Sequence, residues 1–163
     1  MIFMVPYNCT MKNSALNTWL IEIISALLIL LFAYTAINKL LDHPKFQMML
    51  SQSPLIKNMA GFISYALPIG ELITALFLAI PKYRKWGFSV SLSLMIIFTI
   101  YLAYMIYFVR DVPCSCGGVI EKLSWKQHLI FNISFTALCV AGLQLLKNDK
   151  LFIAINRSSR TPV

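Results

Sequence analysis

Four runs of apolar residues, Trp19 to Leu41, Gly61 to Ile80, Gly87 to Val109 and His128 to Leu146, dominate the chain. Each is about 19–23 residues long, the length an α-helix needs to cross the hydrocarbon core of a bilayer. Inside lipid every backbone N–H and C=O must be satisfied within the protein, so runs of this kind become helices. They are too long and too uniformly apolar to be the alternating strands of a membrane barrel. The expected fold is therefore all-α: a polytopic membrane protein, a bundle of four transmembrane helices forming one domain over residues 1–163.

Helix-breaking residues fall between the runs, at His43-Pro44, Ser53-Pro54, Ile80-Pro81, Val112-Pro113 and Gly117-Gly118. The second connection, Pro81 to Trp86, is so short that it makes the second and third helices a tight antiparallel hairpin. The longer first connection has room for one short interfacial helix over Pro44 to Leu50, started by its proline. Composition excludes the other classes. The chain is 59% hydrophobic and 12% charged, against about 45–50% and about 25% for a soluble domain. With 6 Gly, 7 Pro and 4 Cys it is neither collagen-like, nor disordered, nor a disulfide scaffold.

The 14 Lys and Arg against 6 Asp and Glu give a net charge of +8. These cations lie between the apolar runs and not in one cluster, so they read as topology signals and contacts to anionic lipid; nucleic acid is not an expected partner. Lys12, Lys82, Arg84, Lys85, Lys147, Lys150, Arg157 and Arg160 mark one side of the membrane, and Lys39, Lys45, Lys57, Arg110, Lys122 and Lys126 the other. The first side holds the short cationic loop and the tail after Leu146, where the positive-inside rule is most reliable. Both termini, including residues 147–163, are expected in the cytoplasm, with the first and third connections outside. The first run has no small-residue cleavage site after it and is expected to be a retained signal anchor. Met11 is an alternative start, which would leave Cys9 in an extension without function.

The most chemically specific stretch is Val112-Pro113-Cys114-Ser115-Cys116-Gly117-Gly118, in the third connection. Two thiols one residue apart can close a small strained disulfide, and strained disulfides exchange more readily than structural ones. Thiol redox exchange is the favoured reading. A structural disulfide, palmitoylation, two inert thiols and a soft-metal site such as Cu(I) shared with His128 are its alternatives. Cys139, inside the fourth run, reads as a small buried hydrophobe.

Polar residues within the spans are costly in lipid and must face the bundle interior or water. Ser64, Pro68, Glu71 and Ala75 share one helical face, as do His128, Asn132, Thr136 and Cys139, and Tyr101, Tyr104 and Phe108 form a stripe. With Asn38 and Lys39 these place a polar site below the outer surface, on the side of the cysteine pair. Glu71 is either an interhelical hydrogen-bonding anchor or part of a proton path. Lys39 is expected to snorkel to the interface and not to pair with Glu71, which sits deeper than a lysine stem comfortably spans. His128 beside Trp125 has a plain interfacial reading as well, and the aromatic stripe reads as packing, with a quinone or lipid pocket as the alternative.

Ala36-Ile37-Asn38-Lys39-Leu40-Leu41-Asp42, Pro68-Ile69-Gly70-Glu71, Cys114-Ser115-Cys116-Gly117-Gly118, Leu123-Ser124-Trp125-Lys126-Gln127-His128 and Asn132 together resemble the MauE/DoxX-type redox-associated membrane proteins. They look most like the branch found in Bacteroidota, over roughly Leu30 to Leu146. The resemblance implies a four-helix bundle of the bacterial inner membrane with a periplasmic Cys-x-Cys loop. It would support thiol redox or the disulfide-dependent maturation of exported proteins, with a thioredoxin-like or exported protein as partner. It points to Lys39, Glu71, Cys114, Cys116, Trp125 and His128. Quinone-linked disulfide generators of similar shape use two cysteine pairs, whereas this chain has one outside pair, so a relay component is implied rather than a complete oxidase. On this reading Cys114 and Cys116 cycle between dithiol and disulfide, with Lys122, Lys126 or protonated His128 favouring the thiolate. Lys39, Glu71, Tyr101, Tyr104, Trp125 and Asn132 shape the pocket beneath them, which leaves a quinone head group open as cofactor. The rival functions are a small structural or assembly subunit of a larger envelope complex, and soft-metal binding.

Overall fold

The computed structural model describes the backbone of residues 7–108 and 125–158, and the side chains of residues 16–107 and 126–147. Cys114 and Cys116 lie outside these residues, as does the side chain of Trp125. The described chain is helical, with no strand among the described residues: α1 (Tyr7–Leu41), α2 (His43–Gln52), a 3-10 turn (Lys57–Met59), α3 (Ala60–Ala79), α4 (Arg84–Phe108) and α5 (Trp125–Ser158). Four segments are long and apolar enough to cross a membrane: Leu16–Leu41, Lys57–Ala79, Arg84–Tyr107 and Lys126–Lys147. This is a multi-pass membrane protein with an all-α fold.

The four long helices alternate in direction around a ring. α1 packs against α3 and α5, and α4 packs against the same two, so α1 and α4 face each other across the bundle. The hairpin between α3 and α4 closes through Tyr83 N–H donating to the Ile80 carbonyl at 3.0 Å and Gly87 N–H donating to that of Tyr83 at 2.9 Å. Gly87 is required by this turn, because a Cβ there would come within 2.8 Å of the backbone nitrogen of Leu78. Many large apolar side chains, among them Trp19, Leu30, Phe62, Trp86, Ile100 and Ile130, are exposed on the outside. For a bundle solvated by lipid that is the expected surface, since nothing drives these side chains inward.

The apolar core lies toward the end where α3 turns into α4. Ile21, Ile24 and Leu28 of α1, Ala75 and Leu78 of α3, Phe88 of α4 and Cys139 of α5 are buried together there. Cys139 is fully buried within it, as a packing residue. Phe88 fills the centre, and only a glycine at 142 leaves room for it: a Cβ at Gly142 would stand 2.3 Å from the Phe88 ring. At the surface of this end Arg84 donates through both terminal nitrogens to the two carboxylate oxygens of Glu22, at 2.7 and 3.2 Å.

At the opposite end α2 folds back over the bundle. Its proline sits in the first turn, where no N–H partner is lost, as the sequence predicts. Phe46 and Leu50 of α2 are buried against Ala60, beside Ile63 and Leu67 of α3. His43 ties α2 to α3: its ring stacks on Tyr65 with centroids 4.1 Å apart, and its Nε2 lies 3.1 Å from the Ser64 hydroxyl.

Candidate functional site

The half of the bundle under α2 is hollow. A cavity of about 300 Å³ is lined by residues of all four long helices and of α2, among them Thr35, Asn38 and Lys39 of α1, Phe46 of α2, Glu71 of α3, Phe98, Tyr101 and Met105 of α4, and His128, Phe131 and Asn132 of α5. Its walls are mostly apolar, with a few polar groups projecting inward, the usual constitution of a small-molecule site.

Glu71 lies on the face predicted from its spacing. Ser64, Pro68, Glu71, Thr74 and Ala75 are all buried, while Ile69, Leu72 and Ile73 between them are exposed. Its carboxylate is 1% exposed and forms an ion pair with the Lys39 ammonium. Thr35, one turn before Lys39, donates its hydroxyl to the other carboxylate oxygen at 3.4 Å. Lys39 therefore does not snorkel to the interface. Helical Cα–Cβ bonds tilt toward the helix N-terminus, so a lysine near the C-terminal end of α1 leans back into the bundle, while Glu71 on antiparallel α3 leans out to meet it. Counting depth by residue number alone overstates their separation. The ammonium also lies 5.3 Å from the ring centre of Phe98 and 5.7 Å from that of Phe46, within cation–π range.

The structure thus brings five of the expected site residues to one cavity: Lys39, Glu71, Tyr101, His128 and Asn132. Tyr104 is half-buried on α4 and is not part of the lining. His128, in the first turn of α5, is half-buried and lines the cavity. Asn132, one turn further on, is 6% exposed. Among the described residues its side-chain amide has no hydrogen-bond partner. Cys114, Cys116 and Trp125 are outside the described side chains, but the ends that their connection joins, Phe108 of α4 and Trp125 of α5, are at the hollow end.

Reasoning from the sequence missed Thr35, Phe46, Phe98 and Phe131. Two of these carried a usable signal: Thr35 precedes Lys39 by four residues and Phe98 precedes Tyr101 by three, so each shares a helical face with a residue already singled out. Phe46 carried none, because its place depends on α2 folding back over the bundle. Among the described residues no group of three His, Cys, Asp or Glu side chains is gathered that could hold a metal ion. The soft-metal alternative rests on Cys114 and Cys116 and so lies outside the described residues.

A family model described as methylamine utilisation protein MauE matches residues 17–145. No curated protein and no solved structure matches the chain. The matched stretch runs through all four membrane helices and takes in every residue that lines the cavity, from Leu31 to Asn132, and the chain belongs to the MauE family of methylamine-utilisation membrane proteins.

Proposed function

We propose that this protein is a thiol/disulfide exchange component of the bacterial inner membrane. It supports the maturation of exported proteins through Cys114 and Cys116, with both termini cytoplasmic and the cysteine loop periplasmic. Membership of the MauE family supports an accessory role beside other proteins. The observation that carries the reading furthest is the partly hollow half of the bundle, into which the polar groups of Lys39, Glu71, His128 and Asn132 project, at the end where the connection bearing both cysteines leaves α4 and enters α5.

In the exchange, a thiolate of the pair attacks one sulfur of a disulfide in a thioredoxin-like partner, forming a mixed disulfide and releasing the partner's second thiolate. The remaining cysteine then attacks the mixed disulfide. The pair ends as a disulfide and the partner as a dithiol, so two electrons and two protons have passed between them, and the reverse exchange runs through the same species. His128, close to where the connection rejoins the bundle, is the residue to accept or return the proton of the attacking thiol.

Labelling with a membrane-impermeant maleimide in intact cells tests side and redox state together. The expected result is labelling of Cys114 and Cys116 after reduction, less without it, and loss of that labelling together with function in Cys114→Ser/Cys116→Ser, while the variant protein stays in the membrane at normal levels. Labelling only after the membrane is opened overturns the orientation. Normal function of the double variant, or a disulfide that never opens, overturns exchange and returns the pair to a structural staple in a larger complex.

A further inference from the structure

We propose that the cavity is a binding site for an uncharged, lipid-soluble ring carrying hydrogen-bond acceptors at two of its edges, the chemistry of a quinone head group. The site stands on the cavity itself; only the ligand's use as an electron acceptor rests on the exchange reading above.

Charge decides against an ionic ligand. The buried carboxylate of Glu71 is already neutralised by Lys39, and at the rim Asp42 faces Lys45 at 3.9 Å. A charged guest would bring an uncompensated charge into a low-dielectric interior. A neutral guest meets hydrogen-bond donors on two walls. On α1 the ammonium of Lys39, among the described residues, hydrogen-bonds only Glu71 and has donors to spare. On α5 Asn132 is 6% exposed and lines the cavity, and its side-chain amide has no partner among the described residues. An amide that opens onto a mostly apolar cavity forfeits hydrogen bonds unless something inside the cavity supplies them. An acceptor on a bound ligand supplies one. A lipid acyl chain does not, because it offers nothing to either donor.

Shape and access agree with a flat ring that arrives from the bilayer. Phe46, Phe98 and Phe131 come from three different helices and give the cavity faces against which a planar ring can stack. Ile97 lines the same cavity yet is 59% exposed on the outside of α4, so the space reaches the lipid-facing surface. A ring with an apolar tail would seat its ring inside and leave its tail among the lipids. A quinone takes up two electrons and two protons on becoming a quinol, which is what a dithiol gives up on closing to a disulfide.

The test uses the whole chain in nanodiscs of synthetic phosphatidylcholine, titrated with decylubiquinone and, separately, with decylbenzene, which has the ring and tail but no carbonyls. Decylubiquinone binding is read from quenching of tryptophan fluorescence, and decylbenzene binding from its competition against that quenching. Decylubiquinone should saturate near one equivalent and decylbenzene should bind at least about tenfold more weakly, the equivalent of one good hydrogen bond. Asn132→Leu, close in shape to the wild-type residue, should weaken decylubiquinone about tenfold and leave decylbenzene unchanged. Lys39→Met/Glu71→Leu, which removes both charges together, should do the same. Equal binding of the two probes, or wild-type affinity in Asn132→Leu, shows a pocket for acyl chains and overturns the proposal, as does quenching that never saturates. Cys114→Ser/Cys116→Ser should bind decylubiquinone as the wild type does whatever the maleimide experiment gives, so the two readings fail separately.

Discussion

One end of this bundle is solid and the other is hollow, although the same four helices build both. Toward the turn between α3 and α4, Phe88 occupies the centre and Gly142 on α5 yields the space for it. Toward α2 the centre is a cavity of about 300 Å³ with an ion pair on its wall. Among the described residues each end also has one ion pair between helices, and the two are unlike. Glu22 and Arg84 meet at the surface, with Glu22 52% exposed, whereas Glu71 is 1% exposed. A bilayer gives apolar side chains no reason to prefer the interior, so a membrane bundle is held by close packing and by polar contacts between helices. Here the two are divided: packing holds the solid end, and the buried pair holds the end where packing is incomplete.

The largest effect should come from the solid end. Phe88→Ala removes the side chain that fills it, and should destabilise the protein by about 3–5 kcal/mol in reversible unfolding from mixed micelles. A loss under about 1 kcal/mol there would mean that packing does not carry this half, and would break the contrast. Next comes the buried pair. Glu71→Leu alone strands the Lys39 ammonium and should cost about 3 kcal/mol, while Lys39→Met/Glu71→Leu should recover most of that loss, because two apolar side chains replace a buried pair without leaving a charge behind. A double variant as unstable as the single one would show that the pair contributes more than mutual neutralisation.

Filling the hollow should cost little. Leu102 is 5% exposed and lines the cavity; Leu102→Phe should change stability by less than about 1 kcal/mol, where extra bulk in a packed core costs about 1–3. Set beside Gly142→Ala, whose added methyl meets the Phe88 ring, it tests the two halves directly by the same kind of change. The smallest effect belongs to Glu22→Gln, since an exposed pair contributes about 0.2–1 kcal/mol and is further screened by salt. If raising the salt concentration destabilises the wild type but not this variant, the surface pair is the salt-sensitive one.

The helices themselves were readable because lipid imposes a strict rule on backbone hydrogen bonds, and a run of about 20 apolar residues has few other ways to obey it. The short helix α2 was readable from Pro44, and the inward face of α3 from the spacing of Ser64, Pro68, Glu71 and Ala75. Individual partners were harder to read. The distance from Lys39 to Glu71 depends on which way each side chain leans from its helix, and on how α1 and α3 are set against each other in depth. Residue numbers hold neither. Phe46 and Phe131 look like any other apolar residues until α2 and α5 are placed around the cavity.

From its sequence alone this chain had to be a four-helix membrane bundle with a few polar residues turned inward and a Cys-x-Cys connection at one end, because hydropathy and helical period are properties of the chain taken in order. Only the tertiary structure decided that Lys39 turns inward to Glu71, that Phe88 fills one half around Gly142, and that the other half stays open with the Asn132 amide facing it. Those outcomes depend on the distances between helices, and no residue fixes such a distance until its neighbours are in place.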